Sequence, residues 1–426
     1  MDAQNIESKK SENDSPEPPS GWKILHIDLS RIEAVSLDRG YEGLYLCFWH
    51  EGIPLGHCEL LAGELPLTEI QVRNIAARVT APAIRTYLQA IHADTRCHYD
   101  DAAPGILSQL SAAWRSTRVA PTRQQVSVVI CTRDRPQQLE RCLRSVTALS
   151  VQPSEIVVVD NGSHPEQTRR VASQFNTRYT FEPRPGLSRA RNAGVRFSSS
   201  PLIAFTDDDI VLTRDWLLHL IDALRDARVT AASGLVFPGE LRTPAQIIFE
   251  HGFGGFHQGY VPGLYGPDFI RNSGHKSPPV WSICAGGNMI VRREAFEAVG
   301  LFDERLGAGA AGCSEDSEFW YRILAKGGTC AYVPAAVVYH YHREDLESLQ
   351  QQIFMYMRGH VAALLVQCTR FRHWKNLNRI LLELPMSYAE SMLRAVIYKD
   401  EEKLVLFAGA KGSAAGVWFW LRNWRQ

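Results

Sequence analysis

Three short apolar runs, VSVVIC at 126–131, EIVVVD at 155–160 and LIAFT at 202–206, are bounded by polar turns and separated by stretches with helical spacing. Continuous runs of β-branched residues suit strands covered on both faces, since a strand with one wet face would alternate. Between the first two runs Pro136 opens a helix to residue 149, with Leu139, Cys142, Leu143 and Val146 on one stripe. Strand, helix, strand, helix with short connections predicts an α/β fold. Its sheet is mostly parallel, with right-handed crossovers and helices on both faces. Ligands of such sheets sit beyond the carboxyl ends of the strands, so those ends are where chemistry is expected.

After the first run comes Thr132-Arg133-Asp134-Arg135-Pro136, with no GxGxxG, which demotes a dinucleotide-binding reading. A Walker A loop and a Gly-rich Arg loop are absent too, which disfavours P-loop and nucleotidyltransferase chemistry. After the second run comes Asp160-Asn161-Gly162-Ser163; Asp160 either closes an Asx turn or serves as a fixed acceptor for a nucleobase N–H. After the third comes Asp207-Asp208-Asp209. In extended chain, side chains two apart share a side, so Asp207 and Asp209 would face one site while Asp208 points away. Three carboxylates there repel one another unless a cation compensates, and hard divalent ions take oxygen ligands. Helix capping is the other reading, but Thr213 is better placed to cap a helix at 216–224.

The segment GLSRARNAG at 186–194 is a Gly turn opening a helix whose amides and arginines could face a diphosphate; Arg189 and Arg191 could equally be solvated. Cys284-Ala285-Gly286-Gly287-Asn288-Met289 permits close backbone approach. Glu315-Asp316 stands at a helix start, where acidic residues either answer the helix dipole or do catalysis. VVYHYH places His340 and His342 on one face of a strand, as structural residues or as ligands.

Taken together, VSVVICTRDRPQQLERCL, EIVVVDNGS, GLSRARNAG, FTDDDI, CAGGNM and SEDSEFWYRILAKGG, covering about residues 126–342, resemble the family 2 glycosyltransferases, which have the GT-A fold. Each string alone is common; all six in the family's order make the resemblance specific. It implies an inverting, metal-dependent enzyme that moves a sugar from a nucleoside-diphosphate sugar to an acceptor hydroxyl, in polysaccharide or glycoconjugate synthesis. Thr132 and Asp160 would hold the nucleobase, with Arg133 and Arg191 also on the donor side. Asp209 would ligate Mn²⁺ or Mg²⁺, Asp207 and Asp208 would contact metal-bound groups, ribose or sugar, and Asp207 is counted with the metal set. Asp316 is similar to the family's general base. His340 stands where some relatives place a further metal ligand, with His342 two residues on as the competing choice; an imidazole there would favour Mn²⁺ slightly. Gly286, Gly287, Trp281 and Glu315 are assigned to the acceptor side.

The flanks are read from the residues alone. Residues 1–20 read as a disordered polar tail, 21–120 as a small α+β module, 121–345 as the catalytic domain and 346–426 as a helical extension. In the module, strands at 44–49 and 53–61 form a hairpin about His50-Glu51-Gly52, and helices at 67–79 and 83–93 are separated by Pro82. Residues 116–125 read as a linker. The aperiodic stretch 237–280 reads as an acceptor lid, with Tyr260, Tyr265 and Trp281 either stacking on sugars or filling the loop's core. At 404–421, Lys411 inside an apolar run favours a buried or membrane-surface helix over a span, and the mixed cations and aromatics of 370–375 suit an anionic membrane surface or a solvated helix end.

Nine scattered cysteines without a CxxC pair, and a first segment lacking an apolar core, point to a cytoplasmic setting, peripheral on the membrane if the acceptor is lipid-linked. Lys+Arg and Asp+Glu both total 46, so no bulk basic field draws the chain to nucleic acid. A non-catalytic nucleotide-sugar binding module on the same fold is the competing function, and retention of the acidic residues argues against it.

Overall fold

The structure is a computed structural model and describes residues 21–90, 104–117, 125–256, 258–283, 285–394 and 400–423. The expected tail at 1–20, most of the expected linker, Cys97 and Cys284 lie outside the described residues.

The chain opens on a three-stranded sheet, β1 (Trp22–Asp28), β2 (Gly43–His50) and β3 (Ile53–Leu61), with β1 parallel to β2 and β2 antiparallel to β3. The hairpin forms as expected, with His50 opposite Ile53; both loop residues, Glu51 (φ 46°) and Gly52 (φ 78°), take the positive φ that a two-residue turn demands. Pro82 does not break the helical segment in two. A single helix, Glu69–Ala90, runs through it, because Val72 and Ala76 before the proline and Ile84 and Leu88 after it are all buried in the module's core. That continuous apolar stripe outweighs one lost backbone hydrogen bond.

A nine-stranded sheet follows: β4 (Val126–Thr132), β5 (Glu155–Asp160), β6 (Arg178–Phe181), β7 (Leu202–Asp207), β8 (Ile210–Leu212), β9 (Val229–Pro238), β10 (Gly263–Tyr265), β11 (Asn288–Arg292) and β12 (Thr329–His340). Its order is β10-β12-β9-β11-β7-β4-β5-β6, with β8 beside β12. Neighbours among β4 to β7 pair in parallel, as do β9 and β12, whereas β11, β10 and β8 run antiparallel to their neighbours. Alternate residues of β4 feed two cores. Val128 and Ile130 pack with the helices Pro136–Thr147 and Trp216–Ala223, while Val129 and Cys131 pack with Leu187–Phe197 and Glu315–Ala325. The N-terminal module joins on without a separate core, since Leu235, Phe237, Ala335 and Val337 of β9 and β12 belong to its apolar cluster.

Two local expectations change. Thr213 does not cap the helix Trp216–Ala223: its hydroxyl donates to the Val337 carbonyl at 2.9 Å, and Asp215 precedes the helix. The stretch 237–280 is not aperiodic lid throughout. Phe237 and Pro238 end β9, Pro244–Ile247 is helical and passes into a π turn at Ile248–Gly252, β10 pairs with β12, and Asp268–Arg271 is helical. Glycines and prolines there punctuate short elements that the sheet edge recruits.

The helical extension comprises Leu346–Phe371, Lys375–Asn378, a π turn Arg379–Glu383, Leu384–Arg394 and Asp400–Asn423. Gly412 and Gly416 let the last helix meet Leu346–Phe371 backbone to backbone; a Cβ at Gly416 would lie 2.6 Å from the Arg358 carbonyl oxygen. Residues Glu402–Asn423 are long and apolar enough to cross a membrane by length and composition, at a mean hydropathy of 1.4.

Candidate active site

Register places three predicted residues side by side at the sheet's carboxyl edge: Thr132 pairs with Asp160, and Cys131 with Asp207. A cavity of about 1290 Å³ opens there. It is lined by Thr132, Arg133, Arg191, Asp207, Asp208, Asp209, Trp281, Gly286, Gly287, Glu315, Asp316 and His340 among others, so every predicted site residue except Asp160 faces one space.

Asp207 to Asp209 do not alternate as extended chain would. The strand ends at Asp207 and the chain turns into β8, so each carboxylate meets a different partner. Asp207 accepts from Arg191 Nη2 at 3.1 Å. Asp208, only 4% exposed, accepts from the Thr132 hydroxyl at 2.8 Å and from Arg135 Nη1 at 3.1 Å. Asp209 accepts from the same Arg135 nitrogen at 3.0 Å and turns its other oxygen toward His340 Nε2, 3.5 Å away. Burial and the neighbouring Asp209 push the Asp208 carboxyl up to about 7 against Arg135 and Thr132. For Asp209 burial works in the same upward direction, but His340, Arg135 and Arg343 outweigh it and hold that carboxyl below its usual range. Burial drives His340 down to about 4 against the pull of Asp209.

Arg191 is buried on the helix Leu187–Phe197 and is not solvated: its guanidinium is shared between Asp207 and Glu315. Burial and the nearby Asp316 push the Glu315 carboxyl up to about 7 in spite of Arg191. Arg189 instead pairs with Glu304. Asp316 lies in the first turn of Glu315–Ala325, entered from Ser314 in the left-handed region (φ 68°). Its carboxylate accepts from the amides of Gly286 at 2.8 Å and Ser317 at 2.7 Å. The bare Gly286-Gly287 backbone threads between the acids. A Cβ at Gly286 would lie 2.9 Å from Asp316 Oδ2, and one at Gly287 would lie 2.6 Å from Asp207 Oδ2.

Asp160 is fully buried, accepts from the Gly162 amide at 2.8 Å and from the Tyr179 hydroxyl at 2.9 Å, and so closes an Asx turn. Of the three loop aromatics, Trp281 lines the cavity against His360 and Arg379, whereas Tyr260 is buried in the N-terminal core and Tyr265 packs on Phe269. His340 ends β12 and faces Asp209; His342, just beyond the strand, is buried against Glu250. Sequence reasoning missed Arg135, Arg343, His360 and Glu250. Arg135 sits in the loop after the first strand, which was a usable signal, and Glu250 is a lone acid in the apolar stretch IIFEHG.

Among the described residues no group of three or more His, Cys, Asp and Glu side chains could hold a metal ion alone. Asp209 and His340 supply one oxygen and one nitrogen, a donor pair that suits a divalent cation whose remaining ligands are water and phosphate oxygen.

The family model for Glycosyl transferase family 2 matches residues 127–300. The chain is 30% identical to the succinoglycan biosynthesis protein ExoM of Rhizobium meliloti (strain 1021) over 241 residues, 53% of this chain and 69% of that protein. It is 27% identical to the pre-mycofactocin glycosyltransferase of Mycobacterium tuberculosis (strain ATCC 25618 / H37Rv) over 274 residues, 62% of this chain and only 53% of that protein. A solved mannosyltransferase, PcManGT from Pyrobaculum calidifontis in complex with GDP-Man and Mn²⁺, aligns at 18% identity and a TM-score of 0.46, over 79% of this chain and 96% of that one. With the family model covering β4 through β11 and a relative 30% identical over 69% of its own length, the chain belongs to glycosyl transferase family 2 and is a glycosyltransferase.

Proposed function

We propose that the chain transfers a sugar from a nucleoside-diphosphate sugar to an acceptor hydroxyl with inversion, in the presence of a divalent cation. The observation that carries this reading is the single cavity in which the acids of the β7 end lie beside Asp316 across two glycines. Thr132 and Asp160 border the nucleobase, Asp160 by exchanging the Tyr179 hydroxyl for a base N–H. Arg133 lies on the diphosphate side. Arg191 acts on the donor through Asp207, which it orients, and Asp208 positions the ribose side through Thr132 and Arg135. Asp209 and His340 would hold Mn²⁺ or Mg²⁺, with Asp207 reaching its bound groups, and that ion would neutralise charge developing on the leaving diphosphate.

Asp316, aimed by the Gly286 and Ser317 amides, takes the proton of the acceptor hydroxyl from the face opposite the leaving group. The acceptor rests along Gly286, Gly287 and Trp281, with Glu315 at its edge. Positioned proton removal contributes roughly 10²–10⁴-fold to rate, so Asp316→Asn should cut transfer by about that factor while nucleotide affinity stays within about twofold. A wild-type turnover in that variant removes Asp316 as the base.

The division into an accessory module, a catalytic domain and a helical extension belongs to the same proposal, as does an acceptor that is a saccharide or a lipid-linked glycan. A cytoplasmic setting is supported by the free thiols of Cys47, Cys58, Cys131, Cys142, Cys313, Cys330 and Cys368. Contact with the membrane surface would run through the helical extension.

A further inference from the structure

Behind the Asp209–His340 pair runs a line of side chains that the reaction does not use directly. His340 Nδ1 lies 3.0 Å from His342 Nδ1, and His342 Nε2 lies 3.1 Å from Glu250 Oε2. Glu250 and His342 are each 6% exposed, so neither can rely on water for its hydrogen bonds. Phe249 lies 4.7 Å from the His342 ring and Phe256 lies 5.0 Å from the His340 ring, which holds both imidazoles in place. Glu250 itself sits in the π turn Ile248–Gly252, and Gly255, at φ 52°, passes so close to its carboxylate that any side chain there would collide with it.

The protons along this line are determined by its far end. An ionised carboxylate only accepts, so His342 must donate from Nε2. With His342 donating from Nε2 to Glu250 and accepting at Nδ1, the 3.0 Å contact has His340 donating from its own Nδ1. What remains on His340 is a lone pair at Nε2, pointing at Asp209. The opposite arrangement, with a proton on Nε2, would give a charge-assisted hydrogen bond to Asp209 at about 2.7–2.9 Å. The observed separation is 3.5 Å. A divalent cation can bridge an oxygen and a nitrogen at that separation.

We propose that Glu250 and His342 are positioning residues: they lock His340 in its Nδ1–H form and so present Nε2, beside Asp209, as a nitrogen ligand for a divalent cation. This rests on the metal reading of Asp209 and His340 given above. It also assigns the ligand role to His340 and the orienting role to His342, and it brings the fragment around the π turn into the active site although Glu250 does not itself line the cavity.

The test uses the full chain, with and without Mn²⁺. Nitrogen NMR of histidine-labelled, metal-free protein reads the tautomer directly, and His340 should carry its proton on Nδ1. Mn²⁺ binding is then followed by loss of the free-ion electron paramagnetic resonance signal, first with Mn²⁺ alone and then with UDP, dTDP or GDP added. Spin-echo modulation from a directly bound nitrogen reports His340. Loss of outer hydrogen bonds to a metal ligand typically costs about 10–100-fold in metal affinity. Glu250→Gln and His342→Phe, the latter keeping a ring beside Phe249, should therefore weaken Mn²⁺ binding by that factor and diminish the nitrogen modulation. Metal-free melting temperatures near that of the parent chain show that the variants fold; should His342→Phe melt early, Glu250→Gln alone decides. Parent-like Mn²⁺ affinity and nitrogen modulation in both variants, or a proton on Nε2 of His340 in the parent chain, overturns the relay while leaving the metal site standing. Unchanged Mn²⁺ affinity in Asp209→Asn and His340→Ala overturns the metal reading itself, and the relay with it.

Discussion

Gly287 shows how little room the site leaves. Its φ is not in the left-handed region, so alanine is conformationally acceptable there, yet the added Cβ would lie 2.6 Å from both Asp207 Oδ2 and Ile210 Cδ1. Ile210 is fixed in the core, so Asp207 and its partner Arg191 must give way. A displacement near 1 Å at a reacting centre costs about 10²-fold. Gly287→Ala should therefore lower kcat/KM by about that factor with a melting temperature within a few degrees of the parent. Steady-state kinetics beside a thermal melt checks this, and a parent-like kcat/KM shows that the close approach serves packing alone. The acids themselves were readable because a strand end and a helix start are local patterns: Asp207, Asp209 and Asp316 each follow a recognisable run. Their partners were not. Arg135 reaches Asp208 across 73 positions and His342 reaches Glu250 across 92, and only the sheet order brings such residues together.

At the level of elements, Glu155 ties three together. At the start of β5 its carboxylate accepts from Ser127 of β4, from Arg178 of β6 and from the amide and hydroxyl of Ser199 in the turn before β7. Burial alone would raise this carboxyl from its ordinary 4.5, but those four donors outweigh it and hold it at about 2. A depressed folded-state value means that the stabilisation is complete above the ordinary value and drains away as pH falls from about 4.5 toward 2. Glu155→Gln should cost roughly 1–3 kcal/mol at pH 7 and flatten the acid limb of the stability curve over that window. Urea midpoints measured from pH 7 down to pH 3 test it; curves that stay parallel reject the role of Glu155. Strands with continuous apolar runs were legible because both faces are covered by the same chain. The helix through Pro82 and the short elements at 237–280 were not, since a packed stripe and a recruiting sheet edge override local breakers.

At the scale of the whole molecule, the helical extension carries exposed apolar side chains that the other described residues do not cover. The last helix turns Val405, Gly409, Gly412 and Gly416 inward, while Leu404, Phe407, Lys411, Ala414, Trp418 and Leu421 form an outward stripe at alternating spacings of three and four. Leu381, Leu382, Met386 and Leu393, on the neighbouring turn and helix, are exposed as well. Exposed apolar side chains grouped in this way suit an interaction surface, and the exposed Arg372, Lys411 and Arg422 on the same helical extension suit an anionic bilayer face. Formal neutrality of the chain makes that attraction a local property, screened over about 8 Å at physiological salt. The full chain should co-sediment with vesicles containing phosphatidylglycerol, more weakly as salt rises, and Phe407→Ser/Trp418→Ser should lower the bound fraction several-fold without moving the melting temperature. Equal sedimentation of parent and variant rejects the membrane assignment. A parent chain that elutes as a dimer, with the variant monomeric, gives the face to a second copy instead.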